Sequence, residues 1–260
     1  MILPAFFILS LAGGALAWLL VRLLAPKKGR VEVKDAWGAA MVGIGGGVVG
    51  AIVLRPMMRV FNVLVHWGSY NFASIGEVMR YLIGQGEIVF FGSLIGGALA
   101  IFLFCRKRKM KVTPLFDLFA PAFALAHGVG RIGCFLGGCC YGVQVEPGHP
   151  LAVIYPSVSM VAPPGVPLIA VPLIEAIALA ILFIVLTIVY LKSERDGLSV
   201  AVYFLAYSVV RFSLEFFRGD IVRGVYGALT TSQYISIGVF LAGILYLIYL
   251  TRKPKPEAGQ

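Results

Sequence analysis

Long apolar runs alternate along this chain with short connections whose charges are mostly basic. A helix needs about 20 largely apolar residues to cross the hydrocarbon core of a bilayer. Seven runs meet or approach that length: Leu3–Leu24, Ala36–Leu54, Ile88–Phe104, Leu115–Phe135, Ile169–Leu191, Leu198–Phe217 and Ser232–Leu250. The pattern predicts an all-α, polytopic membrane protein of about seven transmembrane helices, organised as one integral membrane domain over residues 1–260. No basic stretch precedes the first apolar run, so it reads as a retained helix and not a cleaved signal.

The connections set an orientation. Lys27, Lys28, Arg30 and Lys34 lie in the first loop, Arg106, Lys107, Arg108, Lys109 and Lys111 in the third. Lys192 and Arg195 lie in the fifth, and Arg252, Lys253 and Lys255 in the tail. The alternate loops hold only Arg55, Arg59, Arg80, Arg218 and Arg223, a ratio of 14 to 5. Positive charge collects on the cytoplasmic side of membrane proteins, which places the N-terminus outside and the C-terminus in the cytoplasm. Two outer segments exceed simple turns. Residues 55–87 mix aromatics with scattered charge and are expected at the interface. Residues 141–167, rich in Pro, Gly and Val, read as an ordered loop or short hairpin. The tail, 252–260, is polar and expected to be disordered.

Composition agrees with this picture and removes two alternatives. Hydrophobic residues make up 60% of the chain and charged ones 13%, against about a quarter charged in soluble domains. The net charge of +10 would suit nucleic acid. Its confinement to alternate loops makes it a topology and anionic-lipid signal instead. The 31 glycines suit helices whose backbones approach closely.

Candidate chemistry gathers at the outer edge. Arg131 ends the fourth span, in ALAHGVGRIGCFLGGCCYG at 124–142, and Arg211 and Glu215 end the sixth. An arginine at membrane depth needs a partner or a phosphate. Two guanidiniums from different helices at one depth suit the phosphate of a lipid headgroup, because each presents a planar fork of donors. The plainer reading is an Arg211–Glu215 pair, favoured by its i, i+4 spacing, with Arg131 snorkelling to the interface. His127, one turn before Arg131, is a candidate general base or a packing residue. Glu175, inside the fifth span, requires a partner or a neutral form. Asp117 reads as a helix cap.

Cys134, Cys139 and Cys140 crowd the same turn, whereas Cys105 adjoins the inner basic loop. Their spacing fits neither a zinc ribbon nor a secreted disulfide framework. A thiolate beside Arg131 would be nucleophilic or redox-active. Small buried thiols also pack well among glycines, and any two of the three are candidates for a disulfide.

At four places the chain resembles the prolipoprotein diacylglyceryl transferases of bacterial inner membranes. GRIGCFLGGCCYG at 130–142 is similar to that family's G-R-x-G-N-F-x-N-x-E-x-x-G signature, and RFSLEFFRGD at 211–220 to its R-F-x-x-E-F-F-R segment. DLFAPAFAL at 117–125 and LTTSQYISI at 229–237 resemble the approaches to the signature and to the last span. The resemblance implies transfer of a diacylglyceryl group from phosphatidylglycerol to the lipobox cysteine of a prolipoprotein. It implies that Arg131 and Arg211 hold the headgroup, that Glu215 orients Arg211, and that Gly142 shapes the turn. Cys134, Cys139 and His127 then join Arg131, Arg211 and Glu215 as candidate catalytic residues, with Cys140 and Glu175 at the substrate. No metal or organic cofactor is implied. The site would face the outer leaflet.

The chain departs from the pattern where protons are handled. The signature Asn falls at Cys134 and its Glu at Cys139. The histidine expected in H-G-G-x-x-G falls at Phe91, and H-P-x-Q-L-Y-E is reduced to PLIEA around Glu175. Phenylalanine accepts no proton, so His127 or a thiolate replaces that base, or the reaction differs. Two rival readings therefore stand beside the family reaction. One keeps the lipid site and uses a cysteine nucleophile for a different lipid or acyl transfer. The other is a non-catalytic lipid-binding or thiol-redox membrane protein.

Overall fold

The computed structural model describes residues 2–65, 74–78, 89–159, 161–219 and 225–252. Among them are seven long helices: α1 (Ile2–Lys28), α2 (Val33–Val65), α3 (Val89–Arg108), α4 (Val112–Gly137), α5 (Val171–Lys192), α6 (Leu198–Glu215) and α7 (Thr231–Arg252). Six contain a described stretch long and apolar enough to cross a bilayer, all except α3. The protein is an all-α polytopic membrane protein. Much of the expected interfacial segment (66–73 and 79–87), Arg80, Asp220, Arg223 and the tail from 253 lie outside the described residues.

The chain divides into two compact units. One comprises Val31–Val112, the other Met1–Arg30 with Thr113–Gln260. In the first, α2 runs past the expected end at Leu54, through Pro56, to Val65. Glycines bring α2 and α3 backbone to backbone. A Cβ built on Gly50 would lie 2.2 Å from the Gly92 carbonyl oxygen, and one on Gly96 would lie 2.3 Å from that of Gly46. With lipid tails as apolar as leucine, such close van der Waals packing is what holds transmembrane helices together.

In the second unit, α4, α5 and α6 share a core of Ala120, Ala124, Leu179, Leu182 and Leu186, with Tyr203 and Tyr207 packed on it. Helix α7 packs along α6. Asp117, at the start of α4, caps another helix: its carboxylate accepts from the backbone N–H groups of Gly197 and, at 3.1 Å, Val200, where α6 begins. Ties around it fix this end of the unit. Arg30 pairs with Asp196 at 2.8 Å, and Arg195 donates to the Leu250 carbonyl at 3.0 Å.

At the opposite end, the segment expected as a loop or hairpin contains strands β1 (Ala152–Ile154) and β2 (Pro167–Ile169), antiparallel with Ala152 opposite Ile169. Tyr155, Ala162 and Leu168 pack there against Phe135 of α4. A second hairpin, β3 (Val225–Tyr226) with β4 (Leu229–Thr230), leads directly into α7. Both hairpins belong to the end of the helices where the polar side chains converge.

Candidate functional site

Antiparallel succession puts the C-terminal ends of α4 and α6 beside the N-terminal ends of α5 and α7. Glu175, in the second turn of α5, is 0% exposed. Arg131 approaches it from α4, with Nε 3.0 Å from Oε2. From α6 the Tyr207 hydroxyl donates to Oε1 at 2.8 Å, and His127 Nε2 lies 3.9 Å from the same oxygen. Arg131 therefore does not snorkel. It is held inward by this ion pair.

A second carboxylate holds the second arginine. Arg211 Nη2 lies 2.6 Å from Glu215 Oε2, the pair anticipated from i, i+4 spacing, and donates to Ser232 Oγ at 3.1 Å. Thr230 Oγ1 donates to the other Glu215 oxygen at 2.9 Å. Thr230 also opens α7. Its N–H donates to Gln233 Oε1 at 2.9 Å while the Gln233 N–H donates back to Thr230 Oγ1, the reciprocal pair of a capping box. Arg211 Nη1 is buried with no hydrogen-bond partner among the described residues. Glu175 and Tyr207 lie within electrostatic reach of both arginines.

His127 is packed as well as placed. Its ring meets Tyr207 edge-on with centroids 5.2 Å apart, and Phe123 lies 5.9 Å away. Phe91, where the resemblance would put a histidine, stands on α3 in the other unit.

The cysteines follow from the way α4 ends. Gly138 takes a left-handed φ of 67°. Its N–H donates to Phe135 O, and the Cys139 N–H donates to Cys134 O at 3.1 Å. That is the Schellman arrangement, which folds the chain back over the last turn. Cys140 is itself left-handed, with φ 61°, an uncommon state for a side-chain-bearing residue. The outcome is a cluster: the sulfurs of Cys134, Cys139 and Cys140 all lie within 4.8 Å of one another, and all are free thiols. Hydrogen bonds from Cys134 and Cys139 hold the Cys140 thiol below its ordinary range, against the desolvation that raises it, with Arg218 and Arg131 assisting. Cys139 is pushed up by its bonds to the other two sulfurs.

Gly142 is required by proximity. A Cβ there would come 2.7 Å from the Ile169 carbonyl oxygen and 2.8 Å from that of Phe217. Its N–H bonds Ile169 O, and the next N–H, Val143, bonds Phe217 O. Gly142 and Val143 together thus tie the cysteine turn to β2 and to the segment after Glu215. Tyr207, Ser232, Thr230 and Gln233 were not singled out from sequence. The T-x-x-Q pattern at 230–233 was readable for the last two; Tyr207 and Ser232 carried no local signal.

Buried carboxylates clamp two arginines at one end of a helical unit, which makes this a polytopic membrane protein with paired charges held at membrane depth. The family model described as prolipoprotein diacylglyceryl transferase matches residues 4–249. The chain is 41% identical over 177 residues to phosphatidylglycerol–prolipoprotein diacylglyceryl transferase 2 of Clostridium perfringens, covering 68% of this chain and 67% of that one. It is 34% identical to the phosphatidylglycerol–prolipoprotein diacylglyceryl transferase of Clostridium tetani over 234 residues, 90% of this chain and 88% of the relative. A Gloeobacter violaceus protein of the same name is 32% identical over 254 residues, 95% and 88% of the two chains. The chain belongs to the prolipoprotein diacylglyceryl transferase family.

Proposed function

We propose that this protein transfers a diacylglyceryl group from a phosphatidylglycerol-type lipid to the thiol of a lipobox cysteine in a prolipoprotein, releasing glycerol phosphate. The observation that carries this reading is the pair of arginines, Arg131 and Arg211, each clamped by a buried carboxylate at the same end of α4 and α6. Glu175 and Tyr207 position Arg131. Glu215, with Ser232 and Thr230, positions Arg211. The clamps hold the guanidiniums in place before substrate arrives, so donors meet the phosphate as charge develops on it and the glycerol C–O bond breaks. Preorganised donors of this kind contribute about 10²–10³ in rate each. Gly142 and the cysteine turn border the same site. The excess of basic residues at the other end supports a bacterial inner-membrane orientation with that end cytoplasmic and the site facing the outer leaflet.

The test is a mass-spectrometric transfer assay on purified protein with phosphatidylglycerol vesicles and a peptide bearing one lipobox cysteine. A diacylglyceryl mass increment on the peptide is expected, reduced at least a hundredfold in Arg211→Ala. An equal yield from the variant, or product formed without the anionic lipid, would refute the two-arginine mechanism.

A further inference from the structure

The three-thiol cluster is left without a task by the reading above. A covalent relay does not suit the family reaction, because that reaction moves an alkyl carbon onto sulfur. A diacylglyceryl thioether formed on Cys134, Cys139 or Cys140 could be passed on only by expelling an unactivated cysteine thiolate, a very poor leaving group from carbon, and the enzyme would stop after one turnover. The cluster needs a role that leaves its sulfurs unalkylated.

We infer that Cys134, Cys139 and Cys140 form a three-thiolate seat for a divalent, zinc-class ion whose open fourth position takes the acceptor's cysteine thiol. The inference rests on the transfer reading for its substrate and on geometry for its site. Zinc–sulfur bonds of about 2.3 Å in a tetrahedron put sulfurs roughly 3.8 Å apart. All three sulfurs here lie within 4.8 Å of one another, so small side-chain rotations close the set. Thiolate ligands select zinc-like ions over hard cations. No fourth His, Cys, Asp or Glu joins the group among the described residues. Structural zinc sites are closed by four protein ligands, whereas catalytic ones keep three and leave a position open.

The fold is arranged to make this cluster. Gly138 and the left-handed Cys140 turn the chain twice in succession, and the Cys139 N–H to Cys134 O bond brings Cys139 back over the helix end. Three thiolates and one divalent ion carry a net negative charge. Arg131 lies within electrostatic reach of Cys134 and Cys140, and Arg218 within reach of Cys140. The same arginine that meets the donor phosphate therefore borders the seat, which brings the donor carbon and the acceptor sulfur into one pocket.

The chemistry balances without a redox partner. The acceptor thiol ligates the ion and gives up its proton, since a coordinated thiol is held as thiolate. Its sulfur lone pair forms the bond to the glyceryl carbon that bears the phosphate ester. The C–O bond breaks with its electron pair on the phosphate oxygen, glycerol phosphate leaves, and the released proton goes to that phosphate or to water. The metal keeps its oxidation state. Ligation thus does the work of the base whose usual position is Phe91.

Full-length protein in detergent, stripped with chelator under reducing conditions, would be titrated with Co²⁺ and separately with Zn²⁺. One Co²⁺ per chain with thiolate charge-transfer absorption is expected. It should be lost in Cys139→Ser and Cys140→Ser and kept in Cys105→Ser, whose thiol is buried on α3. Because the first two variants could misfold, zinc-edge X-ray absorption on the wild type gives an independent reading. It should find three sulfurs alone, four with the lipobox-cysteine peptide, and three with its serine counterpart. Failure to bind either ion, binding unchanged in the cysteine variants, or three sulfurs with the cysteine peptide each overturns the proposal. The transfer assay on the same samples separates the two readings. Undiminished transfer by metal-free protein sinks the metal's role and leaves the transferase standing. Four-sulfur ligation without any lipidated peptide sustains the thiol seat and sinks the transferase.

Discussion

Glu175 and Arg131 depend on each other. A buried ion pair contributes little net stability over an apolar pair, but removing one member strands the other charge at a cost of about 3–5 kcal/mol. Glu175→Ala should lower the stability of the detergent-solubilised protein by that order, seen as a marked drop in the unfolding midpoint, and should abolish transfer. Tyr207→Phe removes one hydrogen bond to the same carboxylate and should cost about 1–3 kcal/mol. The pair of variants checks the assignment: if Glu175→Ala is as mild as Tyr207→Phe, the two residues do not form the clamp described. Gly142→Ala places a methyl against two carbonyl oxygens. Strain of this kind typically costs about 1–3 kcal/mol. Because Gly142, with Val143, ties the cysteine turn to the segment after Glu215, transfer should fall by more than the stability change accounts for, and the comparison of residual activity at a temperature where the variant stays folded tests that.

Among the elements, the start of α7 couples a helix cap to the site. Thr230 shares the capping box with Gln233 and also holds Glu215. Gln233→Ala should cost about 1 kcal/mol, as for the loss of a helix cap, and should change turnover little. Thr230→Val should cost a similar amount but raise the KM for the lipid, because Glu215 loses a partner and Arg211 its fixed position. Parallel measurement of unfolding midpoint and lipid dependence in the two variants separates the cap from the clamp; identical kinetics would argue against the coupling. In the other unit, α2 and α3 meet through Gly46, Gly50, Gly92 and Gly96. Gly50→Leu cannot be accommodated without parting the helices, and should yield protein that unfolds or precipitates well below the wild-type temperature.

At the scale of the whole molecule, charge asymmetry is the readable quantity. The ion pairs and backbone ties around Asp196, Glu194 and Leu250 engage Arg30 and Arg195 at one end of the second unit, while the two clamped arginines lie at the other. In the orientation proposed from loop charge, the first end is cytoplasmic. Alkaline phosphatase, which folds only outside the cytoplasm, should be active when inserted at Gly148 and inactive when fused after Arg252; the reverse pattern would overturn both the orientation and the outer-leaflet site.

The sequence by itself determined the class of protein, the approximate spans and the charges at each end, because hydropathy and loop charge are sums over neighbouring residues. It also carried the i, i+4 pairing of Arg211 with Glu215 and the glycine-rich end of α4, both local in the chain. Where α2 ends was not legible, since the run past Leu54 through Pro56 weakens the hydropathy signal without ending the helix. Tertiary structure decided the rest. That Glu175 receives Arg131, Tyr207 and His127 depends on three helices meeting at one depth, which no periodicity encodes. That Asp117 caps α6, remote in sequence, and that Thr230 steadies Glu215 are products of the same packing. The cysteines show both kinds of cause: a glycine turn readable in the chain, and a second left-handed residue at Cys140 that only the surrounding backbone ties could impose. Burial made these pairings obligatory, because in a membrane each charge that leaves water must find its partner inside the protein.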